Sequence, residues 1–140
     1  MQVFILGITY LILLGAALAH VLWALGVWWP LWDEQRLART VVGAPGIAEM
    51  PPGWASALVA AALGISGIVL FGLTQGMAFI PDRLLVWAGW ALVAVFGLRG
   101  LASYVLPLFS VRMEEPFARL NLMFYGPLCL ILAAGFWSAL

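Results

Sequence analysis

Four apolar stretches, each long enough to cross a bilayer, take up most of this 140-residue chain and leave it little choice of fold. A spanning helix needs about 20 apolar residues to traverse roughly 30 Å of hydrocarbon. The runs from Val3 to Trp28, Trp54 to Ile80, Leu84 to Phe109 and Arg119 to Leu140 meet that requirement. Such a pattern predicts one all-α domain over residues 1–140, a four-transmembrane-helix bundle of up-down antiparallel form. The first run has no basic residues ahead of it and ends in Trp28, Trp29 and Pro30 without a clear cleavage site, so it reads as a retained span and not a signal peptide.

Composition excludes the soluble alternative. Hydrophobic residues make up 66% of the chain and charged ones 9%, against roughly a quarter charged in soluble domains, too few to cover a water-facing surface. Six basic residues, all Arg, balance six acids. With no basic tract, nucleic-acid binding is excluded. The lone Cys129 lies in the fourth run, so no internal disulfide is possible, and it reads as a small buried packing residue. One histidine and one cysteine on different spans make a thin metal-ligand set, and no cofactor is expected.

The connections carry their own signals. Trp28, Trp29, Trp32 and Trp54 flank the first connection, and Trp87, Trp90 and Trp137 lie toward the opposite surface, as interfacial anchors do. Trp23 lies deeper, where its indole N–H needs a protein partner. Residues 33–39 place acids before bases, the order that suits a helix dipole, which predicts a short interfacial helix, and the connection reads either as a surface-lying linker without ligand contact or as a lid over the bundle mouth. After it, Pro and Gly predict irregular chain packed down by Val41, Val42, Ile47 and Met50. Residues 81–83 are so few that the second and third spans must form a hairpin, with Asp82 expected as the helix cap and Gly72/Gly76 and Ala60/Gly64 as close-approach pairs. Pro116 is expected at the first helical position, Pro107 to bend or end the third span, and Pro127 to kink the fourth.

Four spans put both termini on one side. Arg36, Arg39, Arg112 and Arg119 lie with the first and third connections, against Arg83 on the terminal side. The positive-inside rule then predicts, for a bacterial inner membrane, periplasmic termini.

Topology also sets depth. His20, Arg99, Asn121 and Tyr125 all fall in the leaflet of the first and third connections, with Ser103 and Tyr104 about a turn beyond Arg99 and Glu114 and Glu115 past the helix end. An ionisable residue in a span marks a site to be sought, because the charge is costly without a partner. Arg99 is expected to pair with Glu114, Glu115 or helix-end carbonyls, to bind a carboxylate, phosphate or lipid headgroup through its fork, or to snorkel. His20 reads as a neutral imidazole bonded to Tyr, Asn or a carbonyl, or as an acid–base group facing a ligand. His20, Trp23, Arg99, Tyr104, Glu115, Asn121 and Tyr125 form the predicted ligand-binding set; no catalytic residue and no metal is assigned.

Several segments together resemble a bacterial family known only as a domain of unknown function: HVLWALG at 20–26, TVVGAPGI at 40–47 with MPP at 50–52, FGLRG at 96–100 with Tyr104, EPFARL at 115–120 and YGPLC at 125–129. The resemblance covers most of the chain and implies four spans, not an activity. The family pattern often carries Asp at the position of Asn121 and Ser at that of Gly126, so this chain lacks a second buried carboxylate near Arg99.

Two functions are expected. One is a non-enzymatic binding or accessory module, with a pocket for a lipid-like or anionic amphiphile or a surface docking a membrane-protein partner or a second copy. The other is a membrane-embedded enzyme acting on a lipid-like or isoprenoid substrate, with His20 carrying the proton, Arg99 stabilising the anion and Tyr125 donating a hydrogen bond. Transport fits less well, for want of a duplicated half or a second gate.

Overall fold

Helix boundaries fall where backbone chemistry changes. The computed structural model describes residues 1–109 and 111–140. Its helices are α1 (Gln2–Ala24), α2 (Glu34–Val41), α3 (Gly53–Gln75), α4 (Asp82–Val105), α5 (Phe117–Leu120) and α6 (Gly126–Ala139). α1, α3, α4 with its 3-10 extension Leu106–Phe109, and α5 to α6 are long and apolar enough to cross a membrane. The protein is an all-α membrane protein, a four-helix bundle, with α2 as the expected short helix of the first connection. α1 stops four residues before Trp28, and Gly76 ends α3 in a left-handed conformation (φ 74°). Pro107 lies in the 3-10 turn that closes α4.

Two capping expectations are corrected. Pro81 is the N-cap of α4, so Asp82 is already helical and contributes only its charge to the first turn. Pro116 is likewise the N-cap of α5 and not its first residue.

The hairpin of α3 and α4 exists, yet the closest packing lies elsewhere, between α1 and α3 and between α4 and α6. The reason is where missing side chains let backbones approach. A Cβ on Gly100 would run into Leu130, and one on Gly126 into Ser103, so α4 and α6 are in intimate contact. α3 and α4 meet near their connection, Gly72 against Leu85 and Gly89 against Leu73. Neither expected small-residue pair works as a pair: Gly76 ends the helix, and Gly64 faces open space. α1 and α4 occupy opposite corners without close backbone approach.

The core sits in the half nearer the termini. Leu13, Leu70, Leu132 and Phe136 are buried together, and Phe96 stacks on Phe136 with ring centroids 5.9 Å apart. Thr9 is fully buried against Gly135, its hydroxyl returned to the Ile5 carbonyl at 2.8 Å.

The other half is polar and closed by the connections. Asp33 accepts from the Arg36 N–H at 2.7 Å, an N-cap that starts α2. Leu37 and Ala38 are fully buried while Arg36 and Arg39 face outward. Glu114 fastens the two long connections together: it accepts from Arg39 Nε at 2.8 Å and from the Gly46 N–H at 2.9 Å, and its own N–H donates to the Gly43 carbonyl at 2.9 Å. Gly43 adopts φ 76° and presses on the Phe117 ring so closely that a Cβ would overlap it. Val41, Val42, Ile47 and Met50 are half-buried, as expected of a packed connection.

Pro127 explains the turn before α6. Residues Asn121–Tyr125 form a π turn, with the Gly126 N–H reaching back five residues to the Asn121 carbonyl. In that register Pro127, having no N–H, leaves the Leu122 carbonyl without a helical donor. Tyr104 supplies one, its hydroxyl donating to that carbonyl at 3.2 Å.

Candidate functional site

A cavity of about 330 Å³ opens in the polar half, walled by every span. α1 contributes His20 and Trp23, α4 Phe96 and Arg99, and the last span Phe117, Tyr125 and Cys129. Val41 at the end of α2 also lines it, so the first connection forms part of its boundary. The hydroxyl of Tyr125 donates to the Thr40 carbonyl at 3.0 Å and thereby pins that end of α2 to the last span. Val59 and Leu128, 43% and 37% exposed, carry the cavity to the lipid-facing surface. A smaller cleft of about 140 Å³ beneath Met50 and Pro51 shares His20, Trp23, Val41 and Val59 with it.

Arg99 is held by neutral oxygens. Its guanidinium donates to Ser103 Oγ at 2.8 Å and to Asn121 Oδ1 at 2.8 Å. Ser103, fully buried, also donates to Asn121 Oδ1 at 3.1 Å, which closes a three-residue cluster. The expected pairing with Glu114 or Glu115 does not occur. Glu114 is taken by Arg39, its carboxylate 2.7 Å from that guanidinium. The Gly46 N–H, and after it Arg39, hold the Glu114 carboxyl below its ordinary value. Glu115 lies in a separate surface cleft with Arg36, Arg39 and Thr40. Among the described residues, no carboxylate neutralises Arg99.

His20 has a defined tautomer. Its Nδ1 lies 2.8 Å from the Ala16 carbonyl, and a carbonyl only accepts, so Nδ1 carries a proton and, in the neutral imidazole, Nε2 presents a lone pair. The imidazole packs on Trp23 with ring centroids 4.7 Å apart. Trp23 donates its indole N–H to the Trp29 carbonyl at 2.8 Å, the protein partner its depth requires.

Of the predicted set, the cavity gathers His20, Trp23, Arg99 and Tyr125. Asn121 is 1% exposed and stands behind Arg99 as a positioning residue. Tyr104 and Glu115 lie apart from the cavity: the first is the helix repair at Leu122, the second a surface acid. Sequence reasoning missed the aromatic walls Phe96 and Phe117, and it placed Ser103 within reach of Arg99 without including it in the predicted set. The signal for Ser103 was its position four residues after Arg99, one helical turn along the same face. Among the described residues no three His, Cys, Asp or Glu side chains converge on a metal position.

Neither a search of curated proteins nor one of solved structures finds a match. Residues 13–136, which hold every cavity side chain but Ile12, match the model of a family described as "Protein of unknown function (DUF3995)", and the chain belongs to that family.

Proposed function

We propose that this protein is a non-enzymatic intramembrane binding module that takes the polar head of a lipid-like or anionic amphiphile between Arg99 and His20. The observation that carries the reading is the unneutralised charge of Arg99, which meets only the neutral oxygens of Ser103 and Asn121 among the described residues. Arginine stays charged at any physiological pH, and in a low-dielectric setting that charge favours an anion or a strongly dipolar head. The exposed Val59 and Leu128 give a membrane-dissolved molecule a lateral way in. Native mass spectrometry after gentle extraction tests this. A retained amphiphile that disappears in Arg99→Gln is the expected result; a bare chain, with neither lipid nor partner, overturns it. Retention of a second copy or another membrane protein in place of lipid points to the docking-subunit function.

The accessible lone pair of His20 Nε2 favours a second reading, proton transfer on a lipid-like or isoprenoid substrate, with Arg99 stabilising the anion that forms. Activity that survives His20→Ala removes it. Both readings set the protein in a bacterial inner membrane with the Arg-rich first and third connections cytoplasmic and the termini periplasmic. A topology reporter fused after Leu140 that is active only in the cytoplasm reverses that orientation.

A further inference from the structure

We infer that the head group this cavity takes is a hydroxylated aromatic ring, a phenol or quinol bearing an apolar tail; this rests on the amphiphile-binding reading above. Hydrogen-bond polarity selects the head. In the neutral imidazole, with its proton committed to Ala16, His20 offers Nε2 as an acceptor only; Nε2 has no hydrogen-bond partner among the described residues, is not fully buried, and belongs to a side chain that lines the cavity. Arg99 offers donors only. A head that satisfies both must donate to one and accept from the other.

A carboxylate fails this condition. Its oxygens only accept, so it suits Arg99 but sets acceptor against acceptor at His20. A keto oxygen fails in the same way. A hydroxyl both donates and accepts, so an oxygen accepting from Arg99 together with an O–H donating to His20 meets the pattern. The walls then choose the scaffold: Trp23, Phe96, Phe117 and Tyr125 stand among the aliphatic lining residues, and ring–ring contact favours an aromatic guest over a saturated chain. A volume of about 330 Å³ exceeds the roughly 150 Å³ that accepts a single benzene ring, and the tail leaves past Val59 and Leu128 into lipid.

The test uses the native thiol of Cys129, which lines the cavity and is the only cysteine of the chain. The full-length protein in nanodiscs is alkylated with N-ethylmaleimide in the presence of 4-nonylphenol, of its methyl ether, which cannot donate, or of oleate. The phenol is expected to protect Cys129 at about tenfold lower concentration than the ether, the worth of one hydrogen bond. His20→Ala should erase that difference. The two-ligand comparison on the unaltered chain decides the matter even if the variant misfolds. Equal protection by phenol and ether overturns the inference. Protection by oleate alone overturns it too but leaves the amphiphile-binding reading standing, and protection by none of the three overturns both.

Discussion

The two ends of the bundle solve opposite problems. Toward the termini, Leu13, Leu70, Leu132 and Phe136 close the space between helices, and the buried hydroxyls of Thr9 and Ser66 are each satisfied within their own helix. Toward the long connections the same four spans enclose a cavity, and their polar groups bond across elements: Arg99 to Asn121, Tyr125 to Thr40, Glu114 to Arg39. The difference teaches where each end gets its order. In lipid, apolar surface drives no helix association, so a dry end is held by close fit and a polar end by hydrogen bonds.

The contrast breaks most visibly at Phe136, which is fully buried and stacked on Phe96. Phe136→Ala should cost about 3 kcal/mol, the low end for emptying a buried phenylalanine site, measured by detergent-driven unfolding followed by tryptophan fluorescence. Alkylation of Cys129 under native conditions should not change. A loss below about 1 kcal/mol would show that the closed end is not held by packing.

Asn121 probes the other end. Asn121→Ala strips an acceptor from Arg99 and Ser103 together and should cost about 2 kcal/mol, within the range for an abandoned buried polar group. Asn121→Asp gives Arg99 a counter-charge instead. Stability should then equal or exceed that of the parent while retention of the bound amphiphile falls. Retention that rises in Asn121→Asp would contradict the role given to the uncompensated guanidinium.

Tyr104→Phe removes a single hydrogen bond at the π turn. The expected cost is about 0.6 kcal/mol, typical of one such bond between membrane helices, with ligand protection of Cys129 unaltered. A change in that protection would return Tyr104 to the binding site.

What was legible in the chain follows the same division. Span count came from apolar run length, α2 from Asp33 and its charge order, and the break before α6 from Pro127. Depth alone was enough to bring His20, Trp23, Arg99 and Tyr125 to one level, and the cavity contains all of them. Rotation about each helix axis was not legible, because spans apolar all round carry no stripe to orient them. That is why Tyr104, one residue beyond Ser103, was grouped with Arg99 although it points to Leu122. Partner choice was hidden for a related reason. Glu114 is within reach of more than one Arg by sequence, and only the Gly43 turn, which brings Gly46 and Arg39 to it, selects between them.

The smallest effect is expected at Glu114, where the polar end is fastened by a charge and so must respond to pH. The Gly46 N–H, reinforced by Arg39, lowers the folded-state pKa of this carboxyl below its unfolded value. A carboxyl shifted in that direction stabilises the folded form fully above its unfolded pKa and loses the contribution as pH falls through the folded value. Acidification should therefore loosen the first connection from the third, seen as faster hydrogen exchange at the Gly46 amide and faster alkylation of Cys129 beneath the connection. Comparing exchange across α2 with exchange across α3 separates this from general unfolding, since the Leu70 region contains no carboxylate. Glu114→Gln should show the loosened exchange already at neutral pH and no further acid response there. If the acid response persists unchanged in that variant, another carboxylate holds the connections together, and the clasp assigned to Glu114 is wrong.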